Sequence, residues 1–197
     1  MSCGARPFEN NEKERLIAKL KGTYWLRDRA MVQLGMYSGL RVSSILSLRV
    51  GDVWDGSLFR PRLRIARRNL KGKKEGLDLP FHMVARFALG RWLVNLRQRG
   101  LELDPAMPVF LSREGSGKAL SRRRAQEIIQ AAAYAAGLPA GISTHSWRKT
   151  FAGKLYEISG HNILLVSKAL NHRQLATSIH YLTWKLNERA DAAILSL

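Results

Sequence analysis

A single cysteine, Cys3, stands in 197 residues. No internal disulfide can form, and no thiolate metal cluster is available. Acid is scarce as well: 15 Asp and Glu face 33 Lys and Arg, leaving a net charge of +18 and a pI near 10.9. No uninterrupted apolar run reaches the length of a membrane span, and no basic amphipathic helix offers itself to a lipid surface. Residues 1–15 carry no apolar core of the secretory kind, so a cytoplasmic, nucleoid-associated location is expected. Glycine-rich phosphate loops are missing too, and no cofactor or metal is expected. Internal repeats, low-complexity stretches and interior linkers are absent, which argues for one domain.

What is present is positive charge, and it is spread. Arg60, Arg62, Arg64, Arg67 and Arg68 lead into Lys71, Lys73 and Lys74, and Arg122, Arg123 and Arg124 follow later. Such a surface concentrates a polyanion around itself and speeds encounter with it. Nucleic acid is therefore the leading partner, met by several elements at once. Arg67, Arg68, Lys73, Lys74, Arg122, Arg123, Arg124 and Lys149 are the expected contacts. A ribosomal-type binder is the plainer alternative, but it would carry fewer Trp and Leu.

Periodicity gives a mainly helical domain with one small antiparallel β-ribbon. Residues 1–10 read as a flexible tail and 11–197 as the domain. Helices are expected over 12–21, 25–37 and 42–48, with Gly39 as a left-handed cap that leaves Arg41 at the elbow between two helices. Asp55-Gly56 is a turn signal. Residues 58–66 and 77–79 alternate as strands, and Lys71 to Lys74 form the tip between them. A long helix over 81–99 is expected to turn Val84, Phe87, Ala88, Trp92, Leu93 and Leu96 inward. Ser121 caps the next helix, and others follow at about 144–158, 162–170, 174–182 and 185–196.

Four pieces then stand in order: Tyr37-Ser38-Gly39-Leu40-Arg41, the hairpin Lys71, His145-Ser146-Trp147-Arg148, and Leu170-Asn171-His172 with Tyr181 nine residues on. Together they resemble the catalytic domain of the tyrosine recombinases, or phage-type integrases, from about Trp25 to Leu186. The resemblance implies that fold, and cleavage and rejoining of DNA through a 3′-phosphotyrosyl link. Arg41 and Arg148 would clamp the non-bridging oxygens with planar, always-charged forks. Tyr181 would be the nucleophile; an ordinary phenol is protonated at neutral pH and needs help losing that proton. His145 is a candidate base or phosphate contact, His172 a donor to the same oxygens, and Lys71 the general acid for the leaving 5′ hydroxyl. Lys73 and Lys74 compete with Lys71, because hairpin registers slip easily.

Some positions depart from the family pattern. An acidic residue often found three after the first arginine is Ser44 here. The glycine before the third-motif histidine is Asn171, which also accepts a left-handed backbone. A preceding DNA-clamping domain is missing, so the chain is either a fragment or a short single-domain member. The resemblance also implies self-association as a dimer or tetramer on paired sites, with a C-terminal helix (about 185–197) exchanged between protomers. Type IB topoisomerase or telomere-resolvase chemistry, and a non-catalytic regulator of the same fold, are the rival functions.

Overall fold

The computed structural model describes residues 5–67, 76–113 and 117–195. The expected general acid Lys71, with Arg68, Lys73 and Lys74, lies outside the described residues. In chain order the elements are α1 (Glu12–Ala18), α2 (Trp25–Ser38), α3 (Val42–Leu46), α4 (Val50–Val53), β1 (Arg62–Ile65), β2 (Leu77–Pro80), α5 (Met83–Gln98), α6 (Arg122–Ala135), α7 (Ser146–Ile158), α8 (Ile163–Ala169) and α9 (Leu175–Leu195). The architecture is mainly helical with a two-stranded antiparallel sheet, as expected. No helix of the described residues is long and apolar enough to cross a membrane.

α2 is the hub. Ala30, Met31, Val32, Leu34 and Met36 are all buried, so it is covered on several sides by α5 and α7 rather than along a single stripe. Close approach to α7 depends on Gly35, where an added Cβ would lie 2.5 Å from the indole of Trp147. α6 presents the regular i, i+3, i+4 stripe Ala125, Ile128, Ile129, Ala132 and Ala133 to the core. Its first turn is capped by the Ser121 hydroxyl, which accepts from the Arg124 N–H at 3.1 Å. A smaller cluster of Ala152, Tyr156, Val166, Leu170 and Leu182 joins α7, α8 and α9. In the ribbon, Leu63 pairs with Leu79 and Ile65 with Leu77, so the apolar pairs face the core while Arg62 and Arg64 face out.

Three features differ from the sequence expectations, and a fourth was not anticipated. Arg6 grips Glu12 through two hydrogen bonds of 2.7 and 2.8 Å, and Phe8 is buried with its N–H donated to the Thr150 hydroxyl. Residues 6–8 are thus held, where a loose tail was expected. Phe87 is 67% exposed instead of inward, beside exposed Met83 and Val94. Ala85, Ala88, Leu89, Trp92, Leu93 and Leu96 form the regular stripe that takes the core, and Phe87 lies half a turn away on the outer side. The two terminal helices are one: no glycine or proline interrupts residues 175–195, and the Thr183 hydroxyl bonds back to carbonyls within the helix. Finally, Arg27 and Asp28 form a fully buried ion pair of 2.7 Å, with Arg27 also donating to the Leu111 carbonyl.

Candidate active site

The elbow before Arg41 is fixed by the helix that carries Arg148. Gly39 adopts φ 62° at the C-terminus of α2, and its N–H returns to the Gly35 carbonyl. A side chain at Gly39 would also strike Phe151 and Leu170. The two carbonyls that follow are both taken by α7: Arg148 Nη1 donates to the Gly39 carbonyl, and Trp147 Nε1 donates to the Leu40 carbonyl at 3.1 Å. Arg41 then starts α3 in extended backbone and projects into solvent.

Arg148 is only 2% exposed. Its second terminal nitrogen donates to the Leu170 carbonyl at 2.7 Å, and Nε has no hydrogen-bond partner among the described residues. One guanidinium therefore ties the ends of α2 and α8 together. Burial, and next the neighbouring Arg41, push its pKa down to about 10, while the Tyr181 phenol opposes the fall. The group is still charged at neutral pH.

His145 sits at the N-terminus of α7, held by the Ser143 hydroxyl on its backbone N–H. Although it reaches solvent, its pKa is lowered, first by lost solvation on the cleft side and then by Arg148, Arg41 and Lys149. The imidazole is accordingly neutral at pH 7. His172 lies on the turn between α8 and α9, where Asn171 takes the left-handed conformation, φ 50°, that the sequence allowed for. The Nδ1 of His172 is 2.8 Å from the Ser178 hydroxyl. Tyr181, on α9, brings its ring centre to 5.2 Å from the His172 ring and 5.7 Å from the guanidinium carbon of Arg148. α9 is seated there by Trp184, which fills the space over Gly153 of α7.

Arg41, His145, Arg148 and His172 border one cleft of about 390 Å³, together with Arg122 and Arg173 among others, and Tyr181 lies next to it against His172 and Arg148. No carboxylate lines it among the described residues, so the cleft suits an anion. Five of the six residues expected to act together are thus adjacent; the sixth, Lys71, is outside the described residues. Arg122 joins them, whereas Arg123 and Arg124 are both engaged by Glu127 at 3.0 Å. Arg67 is exposed near the end of β1, and Lys149 is half-buried beside His145. Arg173 and Ser178 were not expected. Position beside His172 was the only available sign for Arg173, and nothing in the sequence marked Ser178. Two other tyrosines are occupied elsewhere, Tyr37 stacked on His82 and Tyr156 buried against His161.

The sequence and the fold both match known proteins. The chain is 34% identical over 156 residues to tyrosine recombinase XerD of Corynebacterium glutamicum, covering 79% of this chain and 48% of that protein. It is 35% identical over 156 residues to tyrosine recombinase XerC of Shewanella amazonensis, again 79% of this chain and 48% of the relative. The chain thus spans about half the length of the curated relatives it matches. Among solved structures, XerH site-specific recombinase in a post-cleavage complex with difH substrate superposes with a TM-score of 0.72 at 22% identity, over 95% of this chain and 52% of that one. XerA recombinase gives 0.72 at 21% identity, over 91% and 60%. Residues 6–187 match the phage integrase family as a whole, and the chain belongs to that family.

Proposed function

We propose that this chain is the catalytic domain of a site-specific DNA recombinase that cleaves and rejoins strands through a 3′-phosphotyrosyl intermediate. The observation that carries this is the meeting of Arg41, His145, Arg148 and His172 around one cleft that no carboxylate lines among the described residues, with the Tyr181 ring packed beside His172 and Arg148. In the first step the Tyr181 oxygen attacks phosphorus and loses its proton. The bond from phosphorus to the 5′ oxygen breaks, and that oxygen takes a proton to leave as a hydroxyl. The reverse attack by a 5′ hydroxyl on the new linkage reseals DNA.

Each group has a task in that sequence. Arg41 and Arg148 stabilise charge on the non-bridging oxygens, and preorganised donors of this kind are each worth about 2.7–4 kcal/mol of barrier. Neutral His145 suits either taking the phenolic proton or holding a phosphate oxygen, and His172 donates to the same oxygens. Lys71 supplies the proton to the leaving group. Double-stranded DNA is held by Arg122, Arg67, Arg68, Lys73, Lys74 and Lys149. Arg123 and Arg124 join once Glu127 yields them. Dimers or tetramers form on paired sites, with the distal part of α9 exchanged between protomers, and the protein works at the nucleoid.

The test is a nicked suicide duplex carrying the site recovered by binding selection from random DNA. Wild type is expected to give a covalent complex on a denaturing gel. Tyr181→Phe is expected to abolish that complex while retaining binding. A covalent complex that persists in Tyr181→Phe overturns the assignment of the nucleophile. Relaxation of supercoiled DNA lacking the site would point to a topoisomerase instead.

A further inference from the structure

Ser178 lies in the first turns of α9 and is 0% exposed. A helix hydroxyl without another partner ordinarily bonds back to a carbonyl of the preceding turn, as the exposed Thr183 does later in the same helix at 3.2 Å. Ser178 instead meets Nδ1 of His172 at 2.8 Å, and this is its only side-chain hydrogen bond among the described residues. Its proton therefore has one acceptor available, the Nδ1 lone pair. Leaving a buried hydroxyl proton without an acceptor is costly. A neutral imidazole has one N–H and one lone pair, and the group that engages one nitrogen fixes the state of the other.

We propose that Ser178 is a positioning residue for the strand-cleavage reaction: its hydroxyl donates to Nδ1 of His172, fixing the ring as the Nε2–H tautomer that gives a hydrogen bond to a phosphate oxygen. The inference rests on the recombinase function proposed above. Ser178 precedes Tyr181 by three residues, one helical turn, so both occupy one side of α9. Docking of that side brings the nucleophile in and sets the donor in a single event. When α9 leaves, His172 loses its anchor, and the ring is no longer committed to donating at the cleft. The cleft thereby withholds one of its phosphate contacts until the tyrosine has arrived.

Two readouts test this. Long-range ¹H–¹⁵N spectra of the histidine rings at neutral pH, assigned with His172→Gln, are expected to show His172 as Nε2–H in wild type. Ser178→Thr keeps that pattern, and Ser178→Ala shifts it toward Nδ1–H. In single-turnover cleavage of the suicide duplex, Ser178→Ala is expected to be about tenfold slower with DNA binding unchanged, the loss of roughly one hydrogen bond. Ser178→Thr restores the rate, which rescue of packing alone by alanine would not. An Nδ1–H tautomer in wild type overturns the proposal. So does a Ser178→Ala protein with both wild-type tautomer and wild-type cleavage. The spectra need no DNA, so a wild type that forms no covalent complex refutes the recombinase function while the spectra still decide the Ser178 contact.

Discussion

Arg148→Gln is expected to stabilise the fold while disabling the chemistry. The lowering of the Arg148 pKa to about 10 corresponds to roughly 3 kcal/mol against the charged guanidinium in its buried place beside Arg41. That penalty is present in full at any pH below about 10, where the group is charged in both the folded and the unfolded chain. Glutamine removes the charge and keeps an amide donor for one of the two carbonyls, Gly39 or Leu170, that Arg148 now serves. The other carbonyl loses its donor at a cost of about 1–3 kcal/mol, at the low end because the open cleft admits water. The relieved charge outweighs this by about 1–2 kcal/mol, which at this chain length raises Tm by roughly 2–8 °C. Cleavage of the suicide duplex falls at least about a hundredfold, the loss of one preorganised donor. Thermal unfolding with and without inorganic sulfate is the assay. Sulfate neutralises the paired arginines, so it should raise the wild-type Tm more than that of the variant. A lower Tm for Arg148→Gln without sulfate would show that the ties to Gly39 and Leu170 outweigh the buried charge, and would refute the reasoning.

Three further outcomes follow from other contacts. His145 has a lowered pKa when folded, so the unfolded chain binds more protons as pH drops below about 6.5, and stability declines there. Tm measured across that range should slope more steeply for wild type than for His145→Gln, and equal slopes would refute the assignment. Asp28→Asn leaves the buried Arg27 charge unpaired at a cost of about 3–5 kcal/mol, read as a lower urea midpoint. Joint replacement by Arg27→Met and Asp28→Leu should recover most of it, and an unchanged midpoint in Asp28→Asn would contradict the role given to the pair. Gly35→Ala gains about 1 kcal/mol of helix propensity, but its Cβ must displace the Trp147 indole from 2.5 Å, so a net loss of about 1–2 kcal/mol is expected in the same assay. A stabilised Gly35→Ala would mean that α2 and α7 part easily.

The cleft was largely legible in the sequence because its chemistry demands particular side chains at particular local geometries. Arg41 followed from Gly39, which only a left-handed cap explains well, and His145 with Arg148 from a spacing of one helical turn. The ribbon was legible because Leu63 and Ile65 alternate with arginines. Phe87 was not, because Met83, Phe87 and Val94 make a second, smaller apolar group half a turn from the stripe of α5 that takes the core. Arg27 and Asp28, adjacent in sequence, look like any pair of helix-surface charges; their burial comes from the segment around Leu111, which is distant along the chain. Ser178 has no pattern at all, because its meaning depends on where the turn after α8 places His172.

The unbroken course of α9 limits how the nucleophile can travel. Twenty-one helical residues make a rod about 31 Å long, and it contains neither of the residues at which rods usually bend. Tyr181 therefore has no private joint. To withdraw from the cleft it must swing with the whole shaft about the short link at Arg173–Gln174, pulling Trp184 off Gly153 as it goes, or the first turns must melt. Retreat is thus a large and cooperative motion, and its rate is set as much by an indole on a glycine as by anything at the phosphate.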